Sequence, residues 1–353
     1  MSKPRIAVVG VGRLGSIHAK LIREAGLFDL VALVDPVPAS RLIASEQFET
    51  PAVADVEEIL HQFDCAIIAT PTVYHHQVAI QLLESGKHLL IEKPITATVA
   101  QADELVAAAK SSQVVLQVGH VERFNPAFEA VCNDLGTPAF IDAVRASEYT
   151  FRSTDVGVTL DLMIHDLDLI LSLVPHPVIS IQATGLSLIG PHEDVAYARL
   201  TFANGCLANL TASRSSYEQQ RHMRITGDRG FANIDFANRS VTTVGLSQEL
   251  KRLDIDPDSV TQQEREDLQA RYFTDLLPKT ELSVPDSNPI AMEQADFLQG
   301  IATGDPVRVS GKAGRDALSV AIQITEQINR QQSGDLHAVK GPHFASKSTH
   351  VSS

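Results

Sequence analysis

The 353-residue sequence contains no tryptophan and only three cysteines, and aromatic residues make up 5% of the chain. Three isolated cysteines, an odd number, do not resemble the paired framework of small secreted domains, which favours a reducing compartment. No apolar run approaches the roughly 18 residues of a membrane-spanning helix, and the first residues lack the pattern of a signal peptide. We therefore expect a soluble, cytoplasmic protein.

Positive charge is also scarce, with 29 Lys and Arg against 43 Asp and Glu and a formal net charge of −14. An acidic chain of this kind is not expected to bind nucleic acid or a membrane surface, although a local basic pocket stays compatible with it. The length suffices for about two domains, each with its own core.

The first third of the sequence alternates apolar, β-rich runs with stretches of helical periodicity. The predicted strands cover residues 5–10, 30–35, 65–70, 88–93 and 114–119, and the helices between them cover 14–25, 75–85 and 99–111. Strands that are apolar on both faces are typical of a parallel sheet with helices on both sides. The pattern predicts an α/β, doubly wound Rossmann domain over residues 1–121.

Beyond residue 135 the pattern changes to successive β-rich runs without helices between them. Val195–Phe202 and Cys206–Ser213 are joined by three residues that end in Gly205, a connection typical of a β-hairpin. Such runs predict a mostly antiparallel sheet and hence a separate α+β domain over residues 122–331.

The remaining segments of the second half are less regular. Helices are predicted over residues 155–174, 290–303 and 312–330. The charged stretch 248–289 is interpreted as an excursion from the domain, and residues 332–353 are expected to form a disordered tail.

Gly10, Gly12 and Gly15 have the G-x-G-x-x-G spacing and lie between the first predicted strand and the first helix. In this context the first glycine makes a tight turn, the second lets the backbone approach a pyrophosphate, and the third allows helix–strand packing. The helix N-terminus favours the anion, so Arg13 and Leu14 join the candidate cofactor site. A glycine turn without a nucleotide is the alternative.

Asp35 ends the second predicted strand, 20 residues after Gly15. A carboxylate at this place accepts hydrogen bonds from the ribose hydroxyls and repels a 2′-phosphate. Pro36 follows directly, and Arg41 lies six residues on, so no adjacent arginine is available for such a phosphate. The sequence favours NAD over NADP.

Asp161, His165 and Asp168 interrupt an otherwise apolar run at positions i, i+4 and i+7. On a helix these side chains share one polar stripe, whereas Asp166 points away from it and is expected to be structural. A core histidine and a metal site are the alternatives for the stripe, but no cysteine pair or second helical histidine supports zinc, and we expect no metal. Asp168 either adds a wall to the site or accepts a hydrogen bond between helices.

The segment HHQVAIQLLESGKHLLIEKPITATVAQADEL (75–105) resembles the glucose–fructose oxidoreductase and inositol dehydrogenase family, Gfo/Idh/MocA. The resemblance lies in the order of helix, Gly-Lys-His, strand and Glu92-Lys93-Pro94. Similar stretches are GVGRLGSIHAK, ATPTVYHHQVA, VGHVERFNPA and the D-x-x-x-H pattern of Asp161 and His165. Together they span residues 4 to 331, with 248–289 matched least.

The resemblance implies an NAD-dependent oxidation of a hydroxyl group. It adds to the glycine loop and Asp35 a set of cofactor-binding residues: Thr70, Pro71, His75, Glu92, Lys93 and Pro94. It also implies that His165 is the general base for the hydroxyl proton, that Asp161 orients it, and that all three of Lys93, Asp161 and His165 contact the substrate.

The position of Lys93 fits this reading, and the Glu-Lys-Pro context and the resemblance favour it over an ordinary surface lysine. A lysine at the carboxyl end of a sheet strand, followed by a rigid proline, lies where such folds bind ligands and can donate a hydrogen bond to a developing alkoxide. A solvated surface charge is the alternative. Glu122, Arg123 and Asn125 are interpreted as substrate-binding residues, with a polar hinge before a helix that starts at Pro126 as the alternative.

Within the family, VGHVERFNPAFEAV and STDVGVTLDLMIHDLDLIL are most similar to the branch that oxidises the 3-hydroxyl of UDP-N-acetylglucosamine, which implies a nucleotide-sugar substrate. Arg145, Arg152 and Arg214 are candidates to hold its diphosphate, although each singly is more often a surface residue. Another nucleotide sugar, a free sugar or inositol is the alternative substrate, and a non-catalytic NAD-sensing regulator is the alternative function. The resemblance further implies a homodimer or homotetramer formed through the antiparallel sheet.

Overall fold

The computed structural model describes residues 3–132, 135–151, 156–253 and 258–333. The chain divides into two compact units, the first made of Met1–Phe124 with Ser287–Ile322 and the second of Asn125–Asp286 with Gln323–Ser353. No helix in the described ranges is long and apolar enough to cross a lipid bilayer.

The first unit begins with alternating strands and helices. In chain order these are β1 (Arg5–Val9), α1 (Arg13–Ala25), β2 (Asp29–Val34), α2 (Pro38–Phe48), β3 (Ala52–Val53), β4 (Cys65–Ile68), α3 (Thr72–Glu84), β5 (His88–Glu92), α4 (Val99–Ser112) and β6 (Leu116–Gly119). All neighbouring strands are parallel, in the order β3-β2-β1-β4-β5-β6. This confirms the predicted doubly wound sheet and adds α2 and β3, which the sequence analysis did not assign.

The strand order reverses beside β1, between β2 and β4. In an open parallel sheet, ligands bind outside the carboxyl ends of the strands at such a reversal. The loops that follow β1, β2, β4 and β5 therefore form the natural binding edge of this unit.

The remainder of the chain contributes the second sheet and five α-helices within the described residues. In chain order its elements are α5 (Pro126–Glu129), β7 (Pro138–Ala146), α6 (Ile164–Leu173), β8 (Val178–Leu186), β9 (Val195–Phe202), β10 (Leu207–Ser213), β11 (Gln220–Gly227), β12 (Gly230–Asp235), β13 (Ser240–Gly245), α7 (Gln262–Ala270), β14 (Lys279–Leu282), α8 (Pro289–Thr303) and α9 (Gly311–Ser333). The strand order is β14-β13-β12-β11-β7-β10-β9-β8, and only the β7–β10 pair is parallel. The predicted, mostly antiparallel sheet is confirmed.

Side chains alternate between the two faces of this sheet, as strand geometry requires. One face is buried within the unit and consists of Ile141, Ala143, Ala198, Leu200, Ala208, Leu210, Ala212, Met223, Ile225, Ala232 and Ile234. On the opposite face, Asn209 donates to Asp142 Oδ1 at 3.1 Å, and the Tyr197 hydroxyl meets Asn209 Oδ1 at 3.2 Å. We call this second, partly exposed face the open face; it also carries Phe140, Val144, Leu207 and Phe231.

The division into units differs from the predicted boundary between residues 121 and 122, because residues 287–322 group with the N-terminal residues. Phe297 of α8 is fully buried in the same apolar cluster as Ile22 of α1 and Phe28, whose ring centroid lies 6.2 Å from that of Phe297. The N-terminal core is therefore completed by residues near the end of the chain.

The charged stretch 248–289 is partly regular. It contains α7 and β14, and β14 pairs with β13 as an edge strand of the second sheet, while residues 254–257 lie outside the described residues. Residues 334–353, most of the predicted tail, also lie outside the described residues.

Candidate functional site

The glycine loop after β1 needs glycine at two positions for steric reasons. Gly10 has a φ of +88°, and a Cβ there would lie 2.8 Å from the Ala69 carbonyl and from the Thr70 nitrogen. A Cβ on Gly15 would lie 1.8 Å from the Gly10 carbonyl oxygen. Gly12 is different, since a Cβ there would meet nothing within 4 Å. The middle of the loop is thus open to a ligand.

The backbone beyond the loop offers hydrogen-bond donors to such a ligand. The first bond of α1 runs from the Ser16 N–H to the Gly12 carbonyl at 2.9 Å, so the preceding N–H groups of Arg13 and Leu14 have no intrahelical acceptor. Both residues are exposed. The Thr70 hydroxyl, beside the loop, is buried and has no hydrogen-bond partner among the described residues. Donors at a helix N-terminus and an unpaired hydroxyl fit the pyrophosphate of a dinucleotide.

Asp35 lies directly beside this loop at the carboxyl end of β2. Its Oδ2 accepts from the Val11 N–H at 3.1 Å and its Oδ1 from the Val37 N–H at 2.9 Å. The carboxylate is therefore held in place, and each oxygen keeps a lone pair that can accept from a ribose hydroxyl.

Arg41 is nearer to Asp35 than the sequence separation suggested. Because α2 begins at Pro38, its first turn brings the Arg41 guanidinium back, and Nη1 donates to the Asp35 carbonyl at 2.7 Å. The expectation that no arginine stands beside Asp35 is corrected by this contact.

Glu92, Lys93 and Pro94 follow at the carboxyl end of β5, where Lys93 is half-buried and its peptide bond to Pro94 is cis. Glu92 is buried, and its Oε1 lies 2.9 Å from Nε2 of His18 in α1. Burial acts to raise the pKa of the Glu92 carboxyl, but the hydrogen bond from His18 together with the Lys93 charge holds it below its usual range. Glu92 thus keeps its negative charge inside the unit.

Sequence reasoning missed His18 and its partner Gln294 in α8. A signal for His18 was present, because Gly15, His18, Ala19 and Ile22 form the buried i, i+3, i+4, i+7 stripe of α1. A histidine in that stripe needs a polar partner inside the unit. Gln294 gave no such signal, since it lies 276 residues away in sequence.

His75 in α3 is 1% exposed, and both of its ring nitrogens face backbone carbonyl oxygens. Nδ1 lies 3.0 Å from the Pro94 oxygen and Nε2 lies 2.8 Å from the Thr70 oxygen. Burial lowers the pKa of His75, although both carbonyl contacts act to raise it. His75 therefore reaches a ligand only through the two loops that it joins, whereas Pro71 at the start of α3 is exposed.

In the second unit, the predicted helix over 155–174 is found over Thr159–Leu173 and is not uniform, and residue 155 lies outside the described residues. Its first turn, Thr159–Met163, is a π-helix, and α6 continues from Ile164. Asp161 lies in the π turn and His165 at the second position of α6, so the regular spacing assumed for the polar stripe does not hold between them. Both side chains are half-buried, while Asp168 is buried. Single π turns occur often at functional sites.

The start of this helix is held by Glu193, which is 2% exposed. Its carbonyl accepts from the Val158 N–H at 2.9 Å, and its Oε1 accepts from the Thr159 N–H at 3.2 Å. A Cβ on Gly157 would lie 2.1 Å from both Glu193 carboxylate oxygens, so a glycine is needed for this approach. The position of Asp161 is thereby fixed from the neighbouring loop.

The arginines predicted to hold a diphosphate are engaged inside the second unit. Arg145 forms two hydrogen bonds with Asp166, at 3.0 and 2.8 Å, and both side chains are at most 5% exposed. Arg214 donates to Asp194 at 2.7 Å, and Asp194 has a pKa below its usual range because this bond and two backbone N–H groups outweigh its burial. The diphosphate prediction is wrong for these two arginines, since their charges are already neutralised by buried carboxylates.

Arg152, the third candidate, lies outside the described residues. Asp166 has the structural role expected of it, because it binds Arg145.

The stretch after β6 has a 3₁₀ turn, Val121–Phe124, before the short α5. Glu122 is buried, and the Arg123 carbonyl accepts from Arg308 at 3.3 Å. Asn125 caps α5 by accepting from the Ala127 N–H at 3.1 Å. For Asn125 this geometry favours the polar-hinge interpretation over substrate binding.

The structure thus brings the predicted cofactor residues of the first unit to one edge of its sheet and puts Asp161 and His165 on one helix of the second unit. In the part of the chain that the structure describes, no three His, Cys, Asp or Glu side chains are grouped to hold a metal ion.

Two family profiles match the chain. Residues 4–120 match an oxidoreductase family described as having an NAD-binding Rossmann fold, and residues 99–233 match the GFO/IDH/MocA C-terminal domain. NAD is thus the cofactor that the glycine loop, the Thr70 hydroxyl and Asp35 fit.

Individual proteins are similar over most of their length. The UDP-N-acetylglucosamine 3-dehydrogenase of Acidithiobacillus ferrooxidans is 32% identical over 329 residues, which cover 91% of this chain and 96% of the relative. A solved structure of that enzyme has a TM-score of 0.81 at 31% identity and covers 93% of this chain and 98% of its own. The NAD-dependent scyllo-inositol 2-dehydrogenase of Bacillus subtilis is 29% identical over 73% of this chain and 81% of its own.

Proposed function

Because the chain belongs to the Gfo/Idh/MocA family of NAD-binding oxidoreductases, we propose that it oxidises a secondary hydroxyl of a sugar to a ketone. The proposed substrate is UDP-N-acetylglucosamine, oxidised at its 3-hydroxyl. The observation that carries this proposal is the likeness to a UDP-N-acetylglucosamine 3-dehydrogenase over nearly the full length of both chains.

The chain's own residues have defined tasks in this proposal. NAD, when bound, supplies the acceptor for the hydride that leaves the carbinol carbon. The amides of Arg13 and Leu14 and the Thr70 hydroxyl hold the pyrophosphate, and Asp35 accepts from the ribose hydroxyls.

His165 accepts the proton of the reacting hydroxyl, a task suited to an imidazole because it changes its protonation state near neutral pH. Asp161 orients that ring from the π turn. The Lys93 ammonium donates a hydrogen bond to the oxygen as negative charge develops on it. Glu122 and Arg123 are proposed to contact the substrate from the 3₁₀ turn after β6.

The test is a turnover assay with NAD and a panel of hydroxyl donors. UDP-N-acetylglucosamine, UDP-N-acetylgalactosamine, UDP-glucose, myo-inositol and scyllo-inositol are compared by the growth of the NADH absorbance band. UDP-N-acetylglucosamine carrying deuterium at C3 should pass the label to the reduced cofactor, which mass spectrometry detects. If NAD is reduced only when an inositol is the donor, inositol and not the nucleotide sugar is the substrate. If no donor leads to reduction of NAD, the result favours a non-catalytic NAD sensor.

Variants test the assigned roles. His165→Ala and Lys93→Ala should each lower kcat by about 10²–10⁴-fold, the usual contribution of proton transfer and of a single stabilising donor. His176→Ala and Lys110→Ala, at exposed positions of the same two residue types, are the matched controls and should keep full turnover. Full turnover in His165→Ala or Lys93→Ala would contradict the assigned role.

We also propose that the open face of the second sheet joins copies of this chain into a homodimer or homotetramer. That face is only partly exposed to solvent in strands whose other face is fully buried, and it combines Tyr197 and Phe231 with the Asp142–Asn209 hydrogen bond. Sedimentation equilibrium should give a mass of two or four times that of one chain, and Phe231→Glu should shift this mass towards that of the monomer. A monomeric wild-type protein would contradict this proposal.

A further inference from the structure

Two buried histidines hold the backbone on either side of Lys93. His18, from α1, is fully buried, and its Nε2 lies 2.9 Å from Glu92 Oε1, one residue before Lys93. The other oxygen of Glu92 accepts from the Lys93 N–H at 3.2 Å. The carboxylate therefore connects His18 directly to the Lys93 backbone.

Gln294 of α8 determines which ring nitrogen of His18 carries the proton. The amide nitrogen of Gln294 lies 3.1 Å from Nδ1 of His18 and 3.2 Å from the His18 carbonyl oxygen. A donor at Nδ1 makes that nitrogen the acceptor, so Nε2 carries the proton and donates to Glu92. Gly119 in β6 leaves room for this arrangement, because a Cβ there would lie 3.0 Å from Glu92 Oε2.

His75 holds the other side of Lys93. Its Nδ1 faces the Pro94 carbonyl at 3.0 Å and its Nε2 faces the Thr70 carbonyl at 2.8 Å. A neutral imidazole carries one N–H, so it donates to only one of these two carbonyls. With the N–H on Nδ1, the ring donates to Pro94, the residue next to Lys93.

We propose that His18 and His75 are positioning residues that set where the Lys93 ammonium stands, His18 through Glu92 and His75 through Pro94. The inference depends on the role proposed for Lys93 above. Neither histidine needs to touch substrate or cofactor for this task, since each acts on the backbone beside Lys93. A displacement of about 1 Å in a catalytic group can cost about 10²-fold in rate.

Variants at His75 separate the two ends of its ring. Asparagine places an N–H near the position of Nδ1, and glutamine places one near Nε2. His75→Asn should keep the bond to Pro94 and most of kcat, whereas His75→Gln should place its N–H at Thr70 instead, lose the bond to Pro94 and lose about 10²-fold in kcat. His76→Gln is the matched control, because His76 is the next residue of α3 and pairs at the surface with Glu104 at 2.7 Å.

The same logic applies to His18. His18→Gln retains a donor for Glu92 and should keep most of kcat, while His18→Leu removes that donor and should lose about 10²-fold. KM for NAD should change far less than kcat in His18→Leu. All rates are measured well below the melting temperature of each full-length variant.

A second readout does not depend on turnover. The rate at which acetic anhydride labels Lys93, followed by peptide mass spectrometry against the exposed Lys110 of the same sample, reports the surroundings of the Lys93 nitrogen. It should rise severalfold in His18→Leu and His75→Gln and stay unchanged in His76→Gln. If a leucine variant does not fold, the comparison of His75→Asn with His75→Gln decides alone.

The outcomes distinguish this inference from the proposed function. Wild-type kcat and unchanged Lys93 labelling in both His75→Gln and His18→Leu, with lowered melting temperatures only, would overturn the inference and leave both histidines structural. Full turnover in Lys93→Ala would instead overturn the role of Lys93 itself. Loss of turnover in Lys93→Ala with unchanged histidine variants leaves the proposed function standing without this inference.

Discussion

Removal of one member of the Arg145–Asp166 pair should destabilise the second unit strongly. The two side chains are at most 5% exposed and share two hydrogen bonds of 3.0 and 2.8 Å, so removing either one takes both of these charge-assisted bonds from a buried charge. Such a loss typically costs about 3–5 kcal/mol in the free energy of unfolding. In a domain of this size each kcal/mol lowers the melting temperature by about 2–4 °C.

The double variant makes this prediction specific. Arg145→Met and Asp166→Leu should each show the full loss, whereas the two together should recover most of it, because the apolar pair leaves no charge behind. Arg5→Met is the surface comparison, since Arg5 also makes two side-chain hydrogen bonds with one carboxylate, Asp64, at 3.1 and 2.7 Å, but both side chains are nearly half exposed. Solvent screens such a pair, so its removal should change stability much less.

Urea unfolding followed by circular dichroism gives the free energies, because the chain has no tryptophan to report by fluorescence. A single variant at Arg145 or Asp166 that loses less than about 1 kcal/mol, the range of surface pairs, would refute the reasoning. So would a double variant whose loss equals the sum of the two single losses, since no coupling would then exist between the side chains.

Three further predictions concern the first unit. Asp35→Ser should raise the preference for NADP over NAD by about tenfold, or about 1.4 kcal/mol. The carboxylate that repels a 2′-phosphate is then gone, and the Arg41 guanidinium, 2.7 Å from the carbonyl of residue 35, is available to bind that phosphate. An unchanged ratio of the dissociation constants for NADP and NAD would contradict this. Gly15→Ala should cost about 1–3 kcal/mol of stability, since its Cβ has no room, whereas Gly12→Ala should keep the melting temperature and lose NAD affinity in calorimetry. Burial lowers the pKa of His75 below the ordinary value of 6.5, so the neutral ring stabilises the folded state above pH 6.5, and this stability is lost as the pH falls through the folded pKa. The free energy of unfolding should therefore fall less between pH 7 and 5 in His75→Gln than in the wild type.

The features that follow from local pattern could be predicted from the sequence. The apolar runs of the first third predicted the parallel sheet, and the glycine spacing predicted a turn that the structure confirms at Gly10 and Gly15. Asp35 was placed correctly at the end of β2, because its position depends only on the length of the preceding strand and helix.

Features that depend on distant partners could not be predicted. The charges of Arg145 and Arg214 looked available in the sequence, because nothing local indicates the buried carboxylates that neutralise them. The π turn that carries Asp161 begins where Glu193, 32 residues beyond Asp161, accepts from the Thr159 N–H, and helical periodicity contains no sign of either feature. The contact between Arg41 and Asp35 could have been predicted, because a helix that starts at Pro38 brings Arg41 back to Asp35 within its first turn.

Because residues 287–322 belong to the first unit, this unit cannot complete its folding early during translation. Translation must pass through all of residues 125–286 before Gln294 and Phe297 emerge, which takes about ten seconds or more at about 5–20 residues per second. Throughout that interval the nascent N-terminal sheet lacks the helix that covers Ile22 and Phe28 and the amide that pairs with His18. The cofactor-binding unit of this protein is the first to be synthesised and among the last to be completed.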